Sequence, residues 1–245
     1  MVLVSTRNPL NIGAAARAMS NLGFLRLRVV NPYEASFREA RSAVGAAPLL
    51  AKAEQYSSVA EAVADCSLVV GTTAVGKREL QHPVRLLQEA APLVRKRLNA
   101  GGRVALLFGS EKRGLSNDDF SHCHWLLHVP TREGHTSMNL GQAVAVCLYE
   151  LARSSTKTGN RTKGKAIPKA EKLKAATAGE LERITTMLID ALRASGYLGE
   201  RSVAAKEEKI RRMVRRLELS SGDAGLWLGM LRQMLWKMRP PGNRE

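Results

Sequence analysis

Short apolar strands alternate with helix-forming segments along the first 150 residues, and this alternation limits the fold more than any other feature. The strand candidates are apolar along their whole length, as strands covered on both faces are. They are Val2–Val4, Leu27–Val30, Ser67–Val70, Val104–Phe108 and Leu126–Val129. The intervening helix candidates are Ile12–Leu22, Ser58–Ala64, Val84–Asn99 and Leu140–Arg153. Such alternation predicts βαβ units, and therefore an α/β fold with a parallel sheet and helices on both faces.

The pattern changes after Arg153, which divides the chain into three parts. Residues 154–174 hold seven Lys or Arg and one Glu, with few large apolar side chains, as in a flexible basic linker. From residue 175 onward, three amphipathic helical stripes start near Leu181, Ile210 and Leu226. Helices this short bury little alone, so we expect a small bundle or packing against the first domain. We predict domains over 1–153 and 175–245, joined by the linker 154–174.

The positive charge is unevenly distributed, which indicates a polyanionic partner. The formal net charge is +16, and residues 151–245 carry 21 Lys or Arg against 10 Asp or Glu. A phosphate backbone binds such a surface with release of counterions. The alternative is a basic protein kept soluble by its charge. With a sequence pI near 10.3, the composition favours nucleic acid as the partner.

Cysteine and histidine usage argues against disulfides and against a metal site. Cys66, Cys123 and Cys147 are odd in number and contain no CxxC pair, as expected in a reducing compartment. His122 and His124 flank Cys123, but adjacent ligands leading into a strand point in alternate directions and match no zinc spacing. We expect no metal.

Targeting and membrane signals are absent from the sequence pattern. The first residues enter a short apolar strand and a charged turn, without the basic and apolar regions of a secretory signal. No apolar run approaches the ~18 residues that span a bilayer. We therefore expect a soluble cytoplasmic protein without a membrane partner.

Three segments place glycine, proline or a small polar residue at strand-to-helix junctions, where an open α/β sheet forms its ligand crevice. They are Asn11-Ile12-Gly13…Arg17, Phe108-Gly109-Ser110-Glu111…Gly114-Leu115 and Pro130…Ser137-Met138-Asn139-Leu140.

Each segment also has an ordinary structural interpretation. Asn11 is a candidate helix cap, as are Ser137 and Asn139. Gly109 would allow the backbone to approach a ligand, and Gly114 would supply a positive φ. Glu111 is placed to orient a backbone amide or a neighbouring loop. No GxGxxG occurs, so nicotinamide binding lacks its main support.

In this order the three segments resemble the three motifs of the SpoU/TrmH family of SPOUT RNA ribose 2′-O-methyltransferases. Further similarities point to the TrmJ branch of that family. These are Val29-Val30-Asn31-Pro32, Gly71-Thr72-Thr73-Ala74, Cys123-His124 and Ser195-Gly196-Tyr197. The third motif typically reads Ser-Leu-Asn, so Met138 is a conservative departure.

The resemblance implies a SPOUT-type parallel sheet with a C-terminal trefoil knot, followed by a small all-α extension. It implies S-adenosylmethionine as the cofactor and a homodimer whose active sites are shared between protomers. The implied reaction is 2′-O-methylation of a pyrimidine ribose at position 32 of the tRNA anticodon loop. Two alternatives stay open: the same chemistry on ribosomal RNA, and a non-catalytic RNA-binding protein of the same fold.

The resemblance also assigns site residues. Arg17 is expected to act at the ribose 2′-hydroxyl. A guanidinium keeps its proton, so stabilising the developing alkoxide and gripping a neighbouring phosphate suit it better than accepting a proton. The other expected catalytic residues are Asn11, Glu111, Ser137 and Asn139. The expected cofactor-binding residues are Thr72, Thr73, Ala74, Gly109, Val129, Pro130, Ser137, Met138 and Leu140. The residues expected to bind RNA are Lys77, Arg78, Arg113, Arg211, Arg212 and Arg215.

Overall fold

A computed structural model describes residues 1–40, 45–74, 80–132, 137–153, 174–198 and 203–238. In these ranges, seven parallel strands form one sheet in the order β3-β2-β1-β6-β4-β7-β5. The strands are β1 Val2–Val4, β2 Arg28–Val30, β3 Glu54–Tyr56, β4 Leu68–Thr73, β5 Val84–Leu86, β6 Val104–Phe108 and β7 Trp125–His128. The predicted parallel sheet is therefore confirmed.

Within the described residues, seven helices connect or follow these strands, and three more form the C-terminal extension. The first seven are α1 Pro9–Asn21, α2 Glu34–Ala40, α3 Ala47–Ala51, α4 Val59–Val63, α5 Leu87–Asn99, α6 Asn117–Ser121 and α7 Leu140–Ala152. The extension contains α8 Ala178–Ala194, α9 Val203–Arg216 and α10 Ser221–Met238.

Two strands differ from the sequence predictions. The strand β3 is polar and half-exposed at the edge of the sheet, so it lacks an apolar run. The strand β5 occupies the residues predicted to begin the helix Val84–Asn99, and the helix starts only at Leu87. Both are edge strands of three residues, where pairing with a neighbour decides the structure more than local composition does.

The sheet has a hydrophobic core on each face. Alternate residues of one strand point to opposite faces, so Leu3 joins one core while Val2 and Val4 join the other. Helices α1, α5 and α7 cover the first face, and α4, α6 and the start of α8 cover the second. The expectation of helices on both faces is confirmed.

Helices α1 and α7 cross at a point where a side chain has no room. A Cβ added to Gly141 would lie 2.6 Å from the Cβ of Ala14. The glycine therefore lets the two backbones approach closely. This contact brings the first and third sequence motifs side by side, although more than 120 residues separate them.

The C-terminal helices dock on the first domain as well as on one another. The amide of Ala178 donates to the carbonyl of Cys66 at 2.7 Å, and that of Gly179 donates to Ala64 at 2.9 Å. Leu181, Ile184, Val214 and Leu231 contribute to a separate small core between α8, α9 and α10. Both expected modes of packing are thus present.

Residues 154–173 of the expected linker lie outside the described residues, and the domain bounds stay a prediction. The trefoil knot also stays a prediction. Among the described helices, none combines the length and hydropathy that a membrane span requires.

Substitution of Gly141 tests the close crossing of α1 and α7. We expect Gly141→Val to lower the free energy of unfolding by roughly 1–3 kcal/mol, because the new side chain overlaps Ala14. The control is Gly225→Ala in α10, where an added Cβ meets nothing within 4 Å. This control should raise stability by up to about 1 kcal/mol through helix propensity. Urea unfolding measures both, and equal stability of Gly141→Val and wild type would contradict the packing argument.

Candidate functional site

A cavity of about 470 Å³ opens at the carboxyl ends of β4, β6 and β7, which are neighbours in the sheet. Its size is in the usual range for small-molecule sites. Leu115, Phe120, Leu127, Leu140 and Cys147 supply apolar lining. Polar groups come from the loops that follow the strands. The cavity thus combines an apolar surface with a polar rim, at the position where parallel α/β sheets bind ligands.

Eight of the nine predicted cofactor residues line this one cavity. They are Thr72, Thr73, Ala74, Gly109, Val129, Ser137, Met138 and Leu140. The ninth, Pro130, is exposed, although its neighbours Val129 and Thr131 both line the cavity. The three distant segments therefore meet as expected, while cofactor binding itself remains a prediction.

The turn after β6 depends on two glycines. Gly114 has φ +66°, as predicted. A Cβ on Gly109 would lie 2.1 Å from the carbonyl carbon of Gly114, so this glycine is required by the chain's own close approach. Gly109 also lines the cavity, and its expected approach to a ligand stays a prediction. The amide of Gly114 closes the turn by donating to Ser110 O at 2.8 Å.

Beside the cavity, three predicted catalytic residues form a relay of hydrogen bonds. The side-chain amide of Asn139 donates to Asn11 Oδ1 at 2.7 Å, and Asn11 Nδ2 donates to Glu111 Oε1 at 3.2 Å. Glu111 also accepts hydrogen bonds from the backbone amides of Arg7 and Asn8. Its predicted role of orienting backbone is confirmed by this geometry.

The hydrogen bonds of the relay can have only one donor-to-acceptor direction. An ionised Glu111 only accepts hydrogen bonds, so Asn11 must turn its NH₂ toward it and its oxygen toward Asn139. Asn139 then uses its NH₂ on Asn11, and its oxygen accepts from the amides of Gly141 and Gln142 at the start of α7. The carboxylate at one end and the backbone amides of α7 at the other end therefore fix the orientation of both asparagines.

The environment of Glu111 favours its charged form. Burial opposes the charge, but hydrogen bonds from its own backbone, from the Arg7 and Asn8 amides and from Asn11 outweigh it, and the pKa of Glu111 is lowered. The carboxylate is thus ionised at neutral pH, as the relay requires.

The start of α1 differs from the prediction. Its N-cap is Asn8, whose side chain accepts from the amide of Leu10 at 2.9 Å. Asn11 is the third residue of the helix, and its side chain takes part in the relay. Asn139, by contrast, caps α7 as expected.

Arg17 lies apart from the cavity on an exposed face of α1. Leu10, Ala14 and Arg17 are spaced i, i+4 and i+7, which places them on one side of the helix. All three are exposed, and none is among the described residues lining the cavity. Ser137 does line it, so a single chain holds four of the five predicted catalytic residues at or beside the cavity.

The predicted RNA-binding residues fall into different environments. Arg113 is exposed at the cavity rim. Lys77 and Arg78 lie outside the described residues. Arg215 is only 1% exposed and donates to Glu182 and to the carbonyl of Ala178, so its predicted RNA contact is wrong in this structure.

Arg211 and Arg212 also turn toward the protein. Arg211 donates to Glu182 at 3.0 Å and to Ser121 Oγ at 3.0 Å, and Arg212 donates to Gln81 at 2.6 Å. The sequence shows a cationic stripe on α9, but it does not show which way that stripe faces.

The histidines around Cys123 are structural. His124 Nδ1 accepts from the amide of Val69 at 3.1 Å, and burial lowers its pKa to about 3. Burial also lowers the pKa of His122 to about 3, with Arg211 adding to the effect. Within the described ranges, no group of three or more His, Cys, Asp or Glu is arranged to hold a metal.

Several lining residues lie outside the predicted cofactor-binding set, and Phe120 is the one with the clearest pattern in the sequence around it. It lies on α6, which begins with a capping box between Ser116 and Asp119. That Ser-x-x-Asp pattern was available to predict the helix. Cys147 is an ordinary apolar residue whose place at the cavity follows only from the tertiary structure.

Comparison with known proteins agrees with the three motifs. The model of the SpoU rRNA methylase family matches residues 1–149. The chain belongs to this family.

Relatives of nearly full length narrow the relationship. The tRNA (cytidine/uridine/adenosine-2′-O-)-methyltransferase TrmJ of Pseudomonas aeruginosa is 33% identical over 235 residues, covering 94% of this chain and 91% of that protein. The tRNA (cytidine/uridine-2′-O-)-methyltransferase TrmJ of Sodalis glossinidius is 31% identical over 98% of this chain and 92% of its own length.

Solved structures show the same similarity. TrmJ from Z. mobilis ZM4 superposes with a TM-score of 0.79 at 30% identity, covering 95% of this chain and 97% of that chain. The match includes the C-terminal helices, so the predicted SPOUT-type sheet with an all-α extension is confirmed.

Loss of the Glu111 charge tests the relay. Because the pKa of Glu111 is lowered in the folded state, its stabilisation is present above the ordinary carboxyl pKa of ~4.3 and is lost as the pH falls through the folded value. We expect Glu111→Gln to lower the free energy of unfolding at pH 7 by about 1 kcal/mol. The gap to wild type should shrink below about pH 4. Thermal unfolding at both pH values measures this, with Glu89→Gln on α5 as the control outside the relay. A pH-independent gap would contradict the argument.

Proposed function

We propose that this protein transfers a methyl group from S-adenosylmethionine to the ribose 2′-hydroxyl of a pyrimidine in the tRNA anticodon loop, at position 32. The observation that carries the proposal is the cavity at the strand ends, where all three family motifs meet beside the Asn139–Asn11–Glu111 relay. The names of the near full-length relatives support tRNA ribose methylation. A cytoplasmic location, expected from the cysteine usage, is part of this proposal.

The lining of the cavity suits S-adenosylmethionine. Leu115, Phe120 and Leu127 offer an apolar surface for an adenine ring, while Thr73, Ser110 and Ser137 offer hydroxyl groups to polar parts of the ligand. Lys112 and Arg113 lie at the rim, where they would meet a carboxylate. When bound, the cofactor supplies a methyl group already activated by a sulfonium centre. The protein then has to position the hydroxyl and to stabilise the negative charge that develops on its oxygen as the proton leaves.

The exposed face of α1 supports a homodimer with shared active sites. Leu10 is 79% exposed there, on the same side as Arg17. Val146 and Tyr149 are exposed on the adjoining helix α7. A second copy covering these apolar side chains would place Arg17 in the interface. Arg17 of one protomer would then reach the site of its partner and bind a neighbouring phosphate. It would also stabilise the negative charge that develops on the 2′-oxygen while the hydroxyl proton passes to water and the methyl group leaves the sulfonium sulfur.

The extension is the proposed tRNA-binding region. After the inward-facing arginines are set aside, α9 and α10 still present exposed cations. These are Lys206, Lys209, Arg216, Arg232 and Lys237. Their attraction to phosphates does not depend on base sequence, so they add affinity and leave target choice to the loop itself.

Ribosomal RNA is the second candidate substrate, because the matched family carries rRNA methylase in its description. Removal of residues 154–245 would distinguish the two if tRNA affinity depends on the extension. A non-catalytic RNA-binding role is disfavoured because Asn11, Glu111 and Asn139 keep a complete relay.

The proposal is tested by methyl transfer from labelled S-adenosylmethionine to bulk tRNA and, separately, to ribosomal RNA, followed by nucleoside mapping. We expect label as 2′-O-methylcytidine or 2′-O-methyluridine at position 32. Label only in ribosomal RNA would keep the chemistry and replace the substrate. Cofactor binding without label in either RNA would overturn the proposed activity on these substrates.

Arg17→Ala should lower turnover by about 100-fold or more, because the developing negative charge loses its stabilising partner. Cofactor affinity should stay near the wild-type value, since Arg17 does not line the cavity formed by the described residues of its own chain. Single-turnover methylation and calorimetric binding of S-adenosylmethionine measure the two effects. Arg7→Ala serves as an exposed control near the same helix. Normal turnover by Arg17→Ala would contradict the role.

Leu10→Glu should convert the proposed dimer to a monomer, because it places a charge in an apolar interface. Light scattering coupled to size-exclusion chromatography measures the mass, and the methylation assay should show a parallel loss. The control is Leu98→Glu on α5, also an exposed leucine. A dimeric, active Leu10→Glu protein would exclude this face as the interface.

A further inference from the structure

One wall of the cofactor cavity is thin. Phe120 lines the main cavity and also lines a second cavity of about 160 Å³ on its other side, between residues 80–82, α6 and α9. On the sheet side Phe120 packs over Gly71, where an added Cβ would be 3.3 Å from its ring. Its position therefore depends on the groups at its flanks as well as on core packing.

On one side of Phe120, Arg211 of helix α9 contacts helix α6, which carries Phe120. This guanidinium donates to Ser121 Oγ at 3.0 Å and pairs with Asp118 at 3.5 Å. These two residues lie on α6 on either side of Phe120. A third contact, to Glu182 on α8, fixes the arginine from behind.

On the other side of Phe120, Arg212, the next residue along α9, contacts the segment at Gln81 and His82. Its guanidinium donates to Gln81 Oε1 at 2.6 Å. The adjacent His82 packs its ring against Phe120, with 6.1 Å between centroids and a tilt of 55°. Gln81 and His82 belong to the segment that follows the cofactor loop at Thr73 and Ala74. Two neighbouring arginines of α9 thus contact both α6 and the segment at Gln81, the two parts of the chain that border Phe120.

We infer that Arg211 and Arg212 are positioning residues for the cofactor site, through which the C-terminal extension sets the affinity for S-adenosylmethionine. This inference rests on the proposed function. It assigns the extension a role at the methyl donor in addition to the proposed grip on tRNA. By thermodynamic reciprocity, any RNA contact that shifts α9 would also change cofactor affinity, and cofactor binding would change RNA affinity by the same factor.

The test uses the full-length protein and the variants Arg212→Met and Gln81→Met, singly and together. Methionine keeps an apolar stem but cannot make the hydrogen bond. We expect each single variant to raise the Kd and the KM for S-adenosylmethionine by about fivefold or more, with kcat at saturating cofactor near wild type. Because the two side chains act through one bond, the double variant should be no weaker than the worse single variant.

Two further variants separate positioning from general damage. Arg212→Lys keeps a donor and should restore part of the affinity. Arg183→Met removes an exposed cation from α8 that belongs to neither proposed site, and it should leave the KM for the cofactor unchanged. Gln81 is an exposed residue, so Gln81→Met tests the contact without threatening the fold.

The outcomes distinguish this inference from the proposed function. If wild-type protein does not bind S-adenosylmethionine, the proposed function fails. If it binds and methylates RNA while Arg212→Met and Gln81→Met bind the cofactor equally well, the function stands and the positioning role is overturned. Additive losses in the double variant would overturn it as well, since the two residues would then act independently.

Discussion

The Glu111 carboxylate is the point at which three remote parts of the chain are joined. It accepts from the backbone before α1 and from Asn11, which in turn accepts from Asn139 at the start of α7. Without this acceptor, the side-chain NH₂ group of Asn11 would lose its partner. The close crossing of α1 and α7 at Gly141 brings the asparagines within reach, so packing and hydrogen bonding support the same arrangement. The walls of the cavity are then supplied by loops that the sheet has already placed together.

Charge has a different role inside the extension from the one its composition suggests. A net charge of +11 over residues 151–245 indicates affinity for nucleic acid, yet the arginines at positions 211, 212 and 215 bind protein groups. Arg215 is buried against Glu182, and such a pair fixes geometry more reliably than it adds stability. Net charge describes the long-range field, whereas the direction of each guanidinium depends on which face of its helix is covered. The cations that stay available to a polyanion are those that the packing leaves exposed.

Much of the fold follows from local patterns in the sequence. Buried strands such as Val104–Phe108 are apolar throughout, and their parallel order follows from the helices between them. The edge strands β3 and β5 do not follow this rule, because pairing with a neighbouring strand, and not their own composition, makes these residues strands. At the site, most cofactor-loop residues were predictable from motifs, and so was the capping role of Asn139. Phe120 and the inward direction of Arg215 were not predicted, because only tertiary packing assigns apolar and cationic side chains to one cavity or one face.

The spacing of the relay along the chain has a consequence for biogenesis. Its hydrogen bonds join residues 100 and 128 positions apart. Contacts between such distant positions carry a large loop-closure entropy, and parallel topologies rich in them fold slowly. During synthesis, the relay cannot be completed until Asn139 has left the ribosome. The relay therefore forms only after the segments that become α1 and α7 have both been synthesised.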